Sequence, residues 1–126
     1  MKRILVTGSR DWTDEQKLAG YLSLSLTQDL DENVIVHGAC PSGADKMASD
    51  WCKATGLREE PHPADWAAHG KAAGFRRNAE MAALGADLCL AFWDGESRGT
   101  AHMIACAVKA GISVRILPKS TKGGDG

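Results

Sequence analysis

The chain has 126 residues, a net charge of −1, 44% hydrophobic and 25% charged residues, proportions that fit one soluble globular domain with a real core. A sequence pI of about 6.4 speaks against a chain-wide electrostatic surface for nucleic acid. No apolar run approaches the roughly 20 residues of a membrane span, and the apolar stretch after Met1-Lys2-Arg3 is too short for a signal-peptide core, so the expected location is cytoplasmic.

In chain order, Ile4 to Thr7 is apolar without polar alternation, as in a strand covered on both faces. It ends in Gly8-Ser9-Arg10-Asp11-Trp12. Thr13 with Gln16 makes a capping box, and the first helix is expected to run to about Gln28. The second strand is Val34 to His37, and the second helix runs from about Ser42 to Thr55, closed by Gly56. Leu57 to His62 reads as a third strand, which Pro61 and Pro63 restrict to a sheet edge. Ala64 to Gly70 reads as a loop with some helical turn. A third helix from about Lys71 to Leu84 carries Phe75, Ala79, Met81 and Ala82 and ends at Gly85. Asp87 to Phe92 is the fourth strand, Thr100 to Ala110 the fourth helix, and Ser113 to Leu117 the last strand. Residues 1–118 make one domain, and residues 119–126, rich in Lys, Gly and Ser, read as a disordered tail.

Apolar strands alternating with helices imply an α/β domain, a parallel sheet of about five strands in the order 3-2-1-4-5 with helices on both faces. Chain direction then reverses between strands one and four, and ligands of such sheets bind there, beyond the strands' C-terminal ends. That placement gathers Gly8 to Asp11, Gly38 to Asp45, His62 to His69 and Asp94 to Thr100 along one rim.

The stretch from Val34 to Asp45 is strand, glycine-containing turn and helix start, where backbone N–H groups and the helix dipole favour an anion. It is neither standard phosphate loop: Ala44-Asp45 stand where the Walker form needs Lys-Ser/Thr, and Cys40 stands where the dinucleotide form needs glycine. An ordinary βα turn without a ligand stays open beside the phosphate reading. Gly38, Ala39, Ser42, Gly43 and Asp45 are its candidate ligand contacts, joined on the rim by Gly8, Ser9, Arg10, Arg77, Asp94, Gly95, Gly99 and Thr100. Trp12, Trp66 and Trp93 fall in or beside these loops and are candidates for stacking on a base. Each also fits as cover for a small core. His69 lies in a loop near the arginines, but no catalytic His pairing is visible.

The four cysteines, Cys40, Cys52, Cys89 and Cys106, form no C-x-x-C pair, so no disulfide framework is expected. His37-x-x-Cys40 with Cys52 lacks a fourth ligand at suitable spacing, and neither a metal nor a cofactor is expected.

The loops together resemble the SLOG superfamily, named for its Smf/DprA and LOG members, in its YspA-like, cpYpsA-related branch. The resemblance rests on Val6 to Trp12, His37 to Asp45, His62 to Trp66, Gly74 to Met81, Phe92 to Gly95 and Ser97 to Thr100. It implies a Rossmann-like fold that binds nucleotides or nucleotide-derived ligands. LOG enzymes cleave the N-glycosidic bond of nucleoside monophosphates, with a catalytic glutamate in P-G-G-x-G-T-x-x-E. By position, Arg77 matches the LOG arginine, Asn78 replaces its lysine, Gly99-Thr100 match its G-T, and the glutamate falls on Met103. A thioether cannot do a carboxylate's work there. The sequence therefore favours binding or sensing of a nucleotide-type small molecule. The alternatives are a glycosidase with a relocated carboxylate (Arg77, Asp45, Asp94 and Glu96 being the catalytic candidates) and a DNA-binding protein, against which the acidic pI counts. A homodimer is expected by analogy with LOG enzymes.

Overall fold

The computed structural model describes residues 1–119. Its centre is a five-stranded parallel sheet of β1 (Lys2–Gly8), β2 (Asn33–His37), β3 (Arg58–Pro61), β4 (Leu88–Trp93) and β5 (Val114–Pro118). The strand order is β3-β2-β1-β4-β5, so the order reverses between β1 and β4 as the sequence implies. Every neighbouring pair is parallel, Ile4 standing opposite both Ile35 and Leu88.

Helices cover both faces, and the pleat decides which residue meets which helix. Ile4 and Val6 of β1, Ile35 of β2, and Leu90 and Phe92 of β4 face α1 (Glu15–Ser25) and α2 (Gly43–Thr55), meeting Leu18, Leu22, Ala44, Ala48 and Cys52. Leu5, Val34, Val36 and Cys89 face α4 (Ala73–Leu84) and α5 (Arg98–Lys109), meeting Met81, Ala82, Met103 and Ala107. Each fully buried aliphatic side chain contributes about 1.5–3 kcal/mol of burial free energy. A short helix, α3 (Trp66–His69), fills part of the connection to α4. The expected tail lies, apart from Lys119, outside the described residues.

Several element ends differ from the sequence reading. The first helix is capped by Asp14, whose carboxylate accepts the Lys17 amide at 3.0 Å. The Thr13–Gln16 box is not formed, because a carboxylate one residue later reaches the same first turn. That helix stops at Ser25, not Gln28. Phe75 and Ala79 are exposed, and the buried face of α4 is Ala73, Asn78, Met81 and Ala82. The last helix begins at Arg98 with Ser97 as its cap, so Gly99 and Thr100 lie within its first turn.

Candidate functional site

Beyond the C-terminal ends of β1 and β4 the chain encloses a cavity of about 430 Å³. It sits where the strand order reverses, since β1 leads to α1 on one face and β4 to α5 on the other. Its walls come from Gly8 to Asp11 after β1, Gly38, Cys40 and Asp45 around the start of α2, Trp66 of α3, and one flank of α4. Asp94, Ser97, Gly99 and Thr100 close the far side.

Ser9 is the joint of this rim. Its amide donates to Phe92 O at 3.0 Å, and its carbonyl accepts from Trp12 at 3.1 Å and Ala44 at 3.3 Å. Its hydroxyl oxygen accepts the Asp94 amide at 3.1 Å. These groups tie the β1 loop to β4 and α2.

The loop between β2 and α2 is held largely by its own groups. The Ala44 amide in the first turn of α2 is taken by Ser9 O. Gly43, at φ +72°, lies so close to the Ser9–Arg10 backbone that a Cβ there would stand 2.6 Å from Arg10 Cα. Ala39, Ser42 and Gly43 line no part of the cavity. Ala39 has φ 57° and gives its amide to His37 Nδ1 at 3.0 Å. The loop's anion position is filled from within, by the Asp45 carboxylate, whose Oδ2 accepts the Cys40 amide at 3.3 Å. Asp45 is only 6% exposed, and burial pushes its carboxyl above the ordinary range, against the opposing pull of Cys40, His37 and Arg77. Burial and the nearby Asp45 raise the Cys40 thiol as well.

Arg77 reaches into the cavity from α4 and is held at three points. Nη1 donates to the carbonyl oxygens of Gly38 and His62, and Nε donates to Asn78 Oδ1 at 2.9 Å. Gly38 leaves room for this guanidinium: a Cβ there would lie 2.5 Å from Arg77 Nη1 and 3.0 Å from Asp45 Oδ2 and would displace these side-chain ends. Asn78, 4% exposed, passes the constraint on, since its Nδ2 donates to Gly99 O and faces His102 Nδ1, each at 3.2 Å. His102 in turn stacks on Phe75, with ring centroids 4.3 Å apart.

At the start of α5, Asp94 Oδ1 accepts the Glu96 and Ser97 amides, each at 2.8 Å. Those two amides hold the Asp94 carboxyl below its ordinary pKa. The Ser97 hydroxyl takes the Thr100 amide at 3.4 Å, and Ser97 O takes that of Ala101 at 3.1 Å. Among the described residues the Gly99 amide finds no acceptor, and Gly99 lines the cavity. Arg10 and Lys71, both exposed, complete the cationic lining with Arg77.

Of the sequence candidates, the structure brings Gly8, Ser9, Arg10, Gly38, Asp45, Trp66, Arg77, Asp94, Gly99 and Thr100 to one cavity. Gly95 and Glu96 lie outside it on the exposed turn. Trp12 is corrected to a core residue, 3% exposed and packed on Phe92 with centroids 5.4 Å apart. Trp93 ties its indole N–H to Ser97 O at 3.0 Å and does not line the cavity. Trp66 alone of the three is on its wall, 51% exposed. His69 ends α3 outside the lining. Lys71 and Asn78 are lining residues that spacing did not single out as ligand contacts. For Asn78 the signal was available, as an amide next to the matched arginine on an otherwise apolar helix face.

Comparison with known proteins agrees with this architecture. The chain belongs to the YspA, cpYpsA-related SLOG family, whose family profile matches residues 2–69. The Gene 61 protein of Mycobacterium phage D29 is 46% identical over 121 residues, covering 90% of this chain and 94% of the phage protein. Among solved structures, the Moco carrier protein from Chlamydomonas reinhardtii superposes with a TM-score of 0.61 at 18% identity. That match covers 95% of this chain and 78% of the carrier chain, and it is a likeness of fold.

Proposed function

We propose that this chain is a binding or sensing protein for a nucleotide-type phosphate ligand held at the β1/β4 crossover. The observation that carries the reading is the convergence of Arg10, Lys71 and Arg77 on a cavity also lined by Gly99, in the first turn of α5, whose amide has no acceptor among the described residues. Fixed cations and a helix start suit a phosphate, and the half-exposed Trp66 offers an aromatic face for a base. About 430 Å³ falls within the size range of small-molecule sites. The phosphate belongs on the Arg10–Gly99 side, because the Asp45 carboxylate occupies the turn at Gly38.

Binding is favoured over glycoside cleavage by Met103. The residue at the LOG glutamate position is fully buried against Leu5, Cys89 and Met81 and lies off the cavity wall. The reading includes a cytoplasmic location and, by likeness to LOG enzymes, a homodimer that light scattering tests directly.

The test is a thermal-shift screen with inorganic phosphate, nucleoside mono-, di- and triphosphates, NAD and ADP-ribose, with chromatography of each hit. A ligand at 100 times its dissociation constant adds about 2.7 kcal/mol, several degrees for a domain of this size. A shift with the ligand recovered intact is the expected result. Free base in the eluate would make the protein a glycosidase, and no shift with any phosphate would overturn the reading.

A further inference from the structure

Asp45 is a buried carboxylate in the cavity wall with few donors. Its side chain is buried and lines the cavity wall, yet apart from the adjacent Cys40 its carboxylate receives no hydrogen bond from the described residues. The nearest guanidinium does not pair with it. The Arg77 donors Nη1 and Nε go to Gly38 O, His62 O and Asn78, and no ion pair among the described residues includes Asp45. His37, the other titratable neighbour, is spent as well. Its Nδ1 accepts the Ala39 amide, so Nε2 carries the hydrogen and donates to Glu59 at 2.7 Å.

Burying a carboxylate with so few donors is costly, and folded proteins keep such groups where a partner arrives from outside. The cavity lining therefore carries the cations Arg10, Lys71 and Arg77 together with carboxylates, of which the buried Asp45 repels a second anion and accepts hydrogen bonds.

We infer that Asp45 is a specificity-determining residue that accepts a hydrogen bond from a hydroxyl or amino group of a phosphate-bearing ligand, so that the cavity selects a monophosphate whose other end is a hydrogen-bond donor. This rests on the phosphate reading above and adds the chemistry of the ligand's second end. A ribose hydroxyl and a base amine share that chemistry. A ligand with phosphates at both ends, such as a bisphosphate, is rejected by the carboxylate.

The experiment is calorimetric titration of the full chain and of Asp45→Ala with inorganic phosphate, ribose 5-phosphate, AMP, 2′-deoxy-AMP and inosine monophosphate. In the wild type, removing the contacted donor weakens binding at least ten-fold. In Asp45→Ala, which lacks the acceptor, the same removal costs less than two-fold, while inorganic phosphate binds both proteins within two-fold. Loss of discrimination between AMP and 2′-deoxy-AMP assigns the sugar hydroxyl, and loss between AMP and inosine monophosphate assigns the base amine. A purely structural role for Asp45 would weaken all five probes alike, and that result overturns the inference. So does wild-type binding in which no donor matters, which decides the question even if Asp45→Ala fails to fold. Failure of the wild type to bind any probe overturns the phosphate reading itself, and this inference with it.

Discussion

Arg77 donates through Nε to Oδ1 of Asn78, the next residue along the same helix, at 2.9 Å. Adjacent helical residues diverge by about 100°, so this bond is made by a guanidinium folded back along α4. The consequence is a cation locked in place by its own neighbour, with Asn78 bridging onward to Gly99 at the start of α5. Asn78→Leu removes a buried acceptor and donor together and leaves the Gly99 carbonyl without that partner. A loss of about 1–3 kcal/mol is expected in urea unfolding. Asn78→Asp keeps the acceptor for Arg77 and removes the donor to Gly99, so titration with a bound phosphate should separate the two roles.

Two tryptophans that look alike in the sequence should behave in opposite ways. Trp12→Ala empties a packed site against Phe92 and should cost about 3–5 kcal/mol of stability. Trp66→Ala removes a half-exposed ring on the cavity wall. It should leave the urea midpoint nearly unchanged and weaken a base-bearing ligand relative to inorganic phosphate. Equal weakening of both probes would remove Trp66 from the stacking role.

Gly43 and Gly20 make a second contrasting pair. Gly43→Ala puts a methyl group into the Ser9–Arg10 backbone at a positive φ and should destabilise by more than about 2 kcal/mol, since the left-handed conformation alone costs roughly 1–2 kcal/mol. Gly20 lies within α1 with nothing within 4 Å of an added Cβ. Gly20→Ala should stabilise by about 0.5–1 kcal/mol. Chemical denaturation of both variants reads the difference in sign.

Acid unfolding has a named contributor. Glu60 accepts two hydrogen bonds from Arg3, each at 2.8 Å, and one from His62 at 2.7 Å. The Arg3 guanidinium, followed by His62, holds its carboxyl down to about 2 from an ordinary 4.5. A carboxyl depressed in the folded state contributes stability above its unfolded pKa, and that stability is lost as pH falls through the folded value. The wild-type urea midpoint should therefore drop between pH 4.5 and 2 by more than that of Glu60→Gln. The contribution is modest, because the pair is partly exposed to solvent.

The site was legible in outline and not in its wiring. Arg77, Asp94 and Gly99-Thr100 could be placed on one rim because strand order follows from the alternation of apolar strands and helices, and strand ends then fix loop positions. Spacing cannot reveal that Asp45, in the first turn of α2, turns back to accept the Cys40 amide of the preceding loop. Trp12 was ambiguous for a similar reason. A tryptophan just past a strand either covers the core or faces the rim, and only the packing of Phe92 beneath it decides.

What the sequence determined by itself was the sheet: β-branched and aliphatic runs at Ile4 to Val6, Val34 to Val36 and Leu88 to Phe92 are too apolar to lie anywhere but in its middle. Their order, and the crossover it creates, follow from the handedness of parallel connections. The tertiary structure decided which polar groups are spent and which remain. Ser9, Ala44 and His37 are consumed by partners far away in sequence, while Asp45, Lys71, Arg10 and Gly99 line the cavity. Hydrogen bonds over such separations depend on ångström-scale placement of loops, which periodicity does not encode.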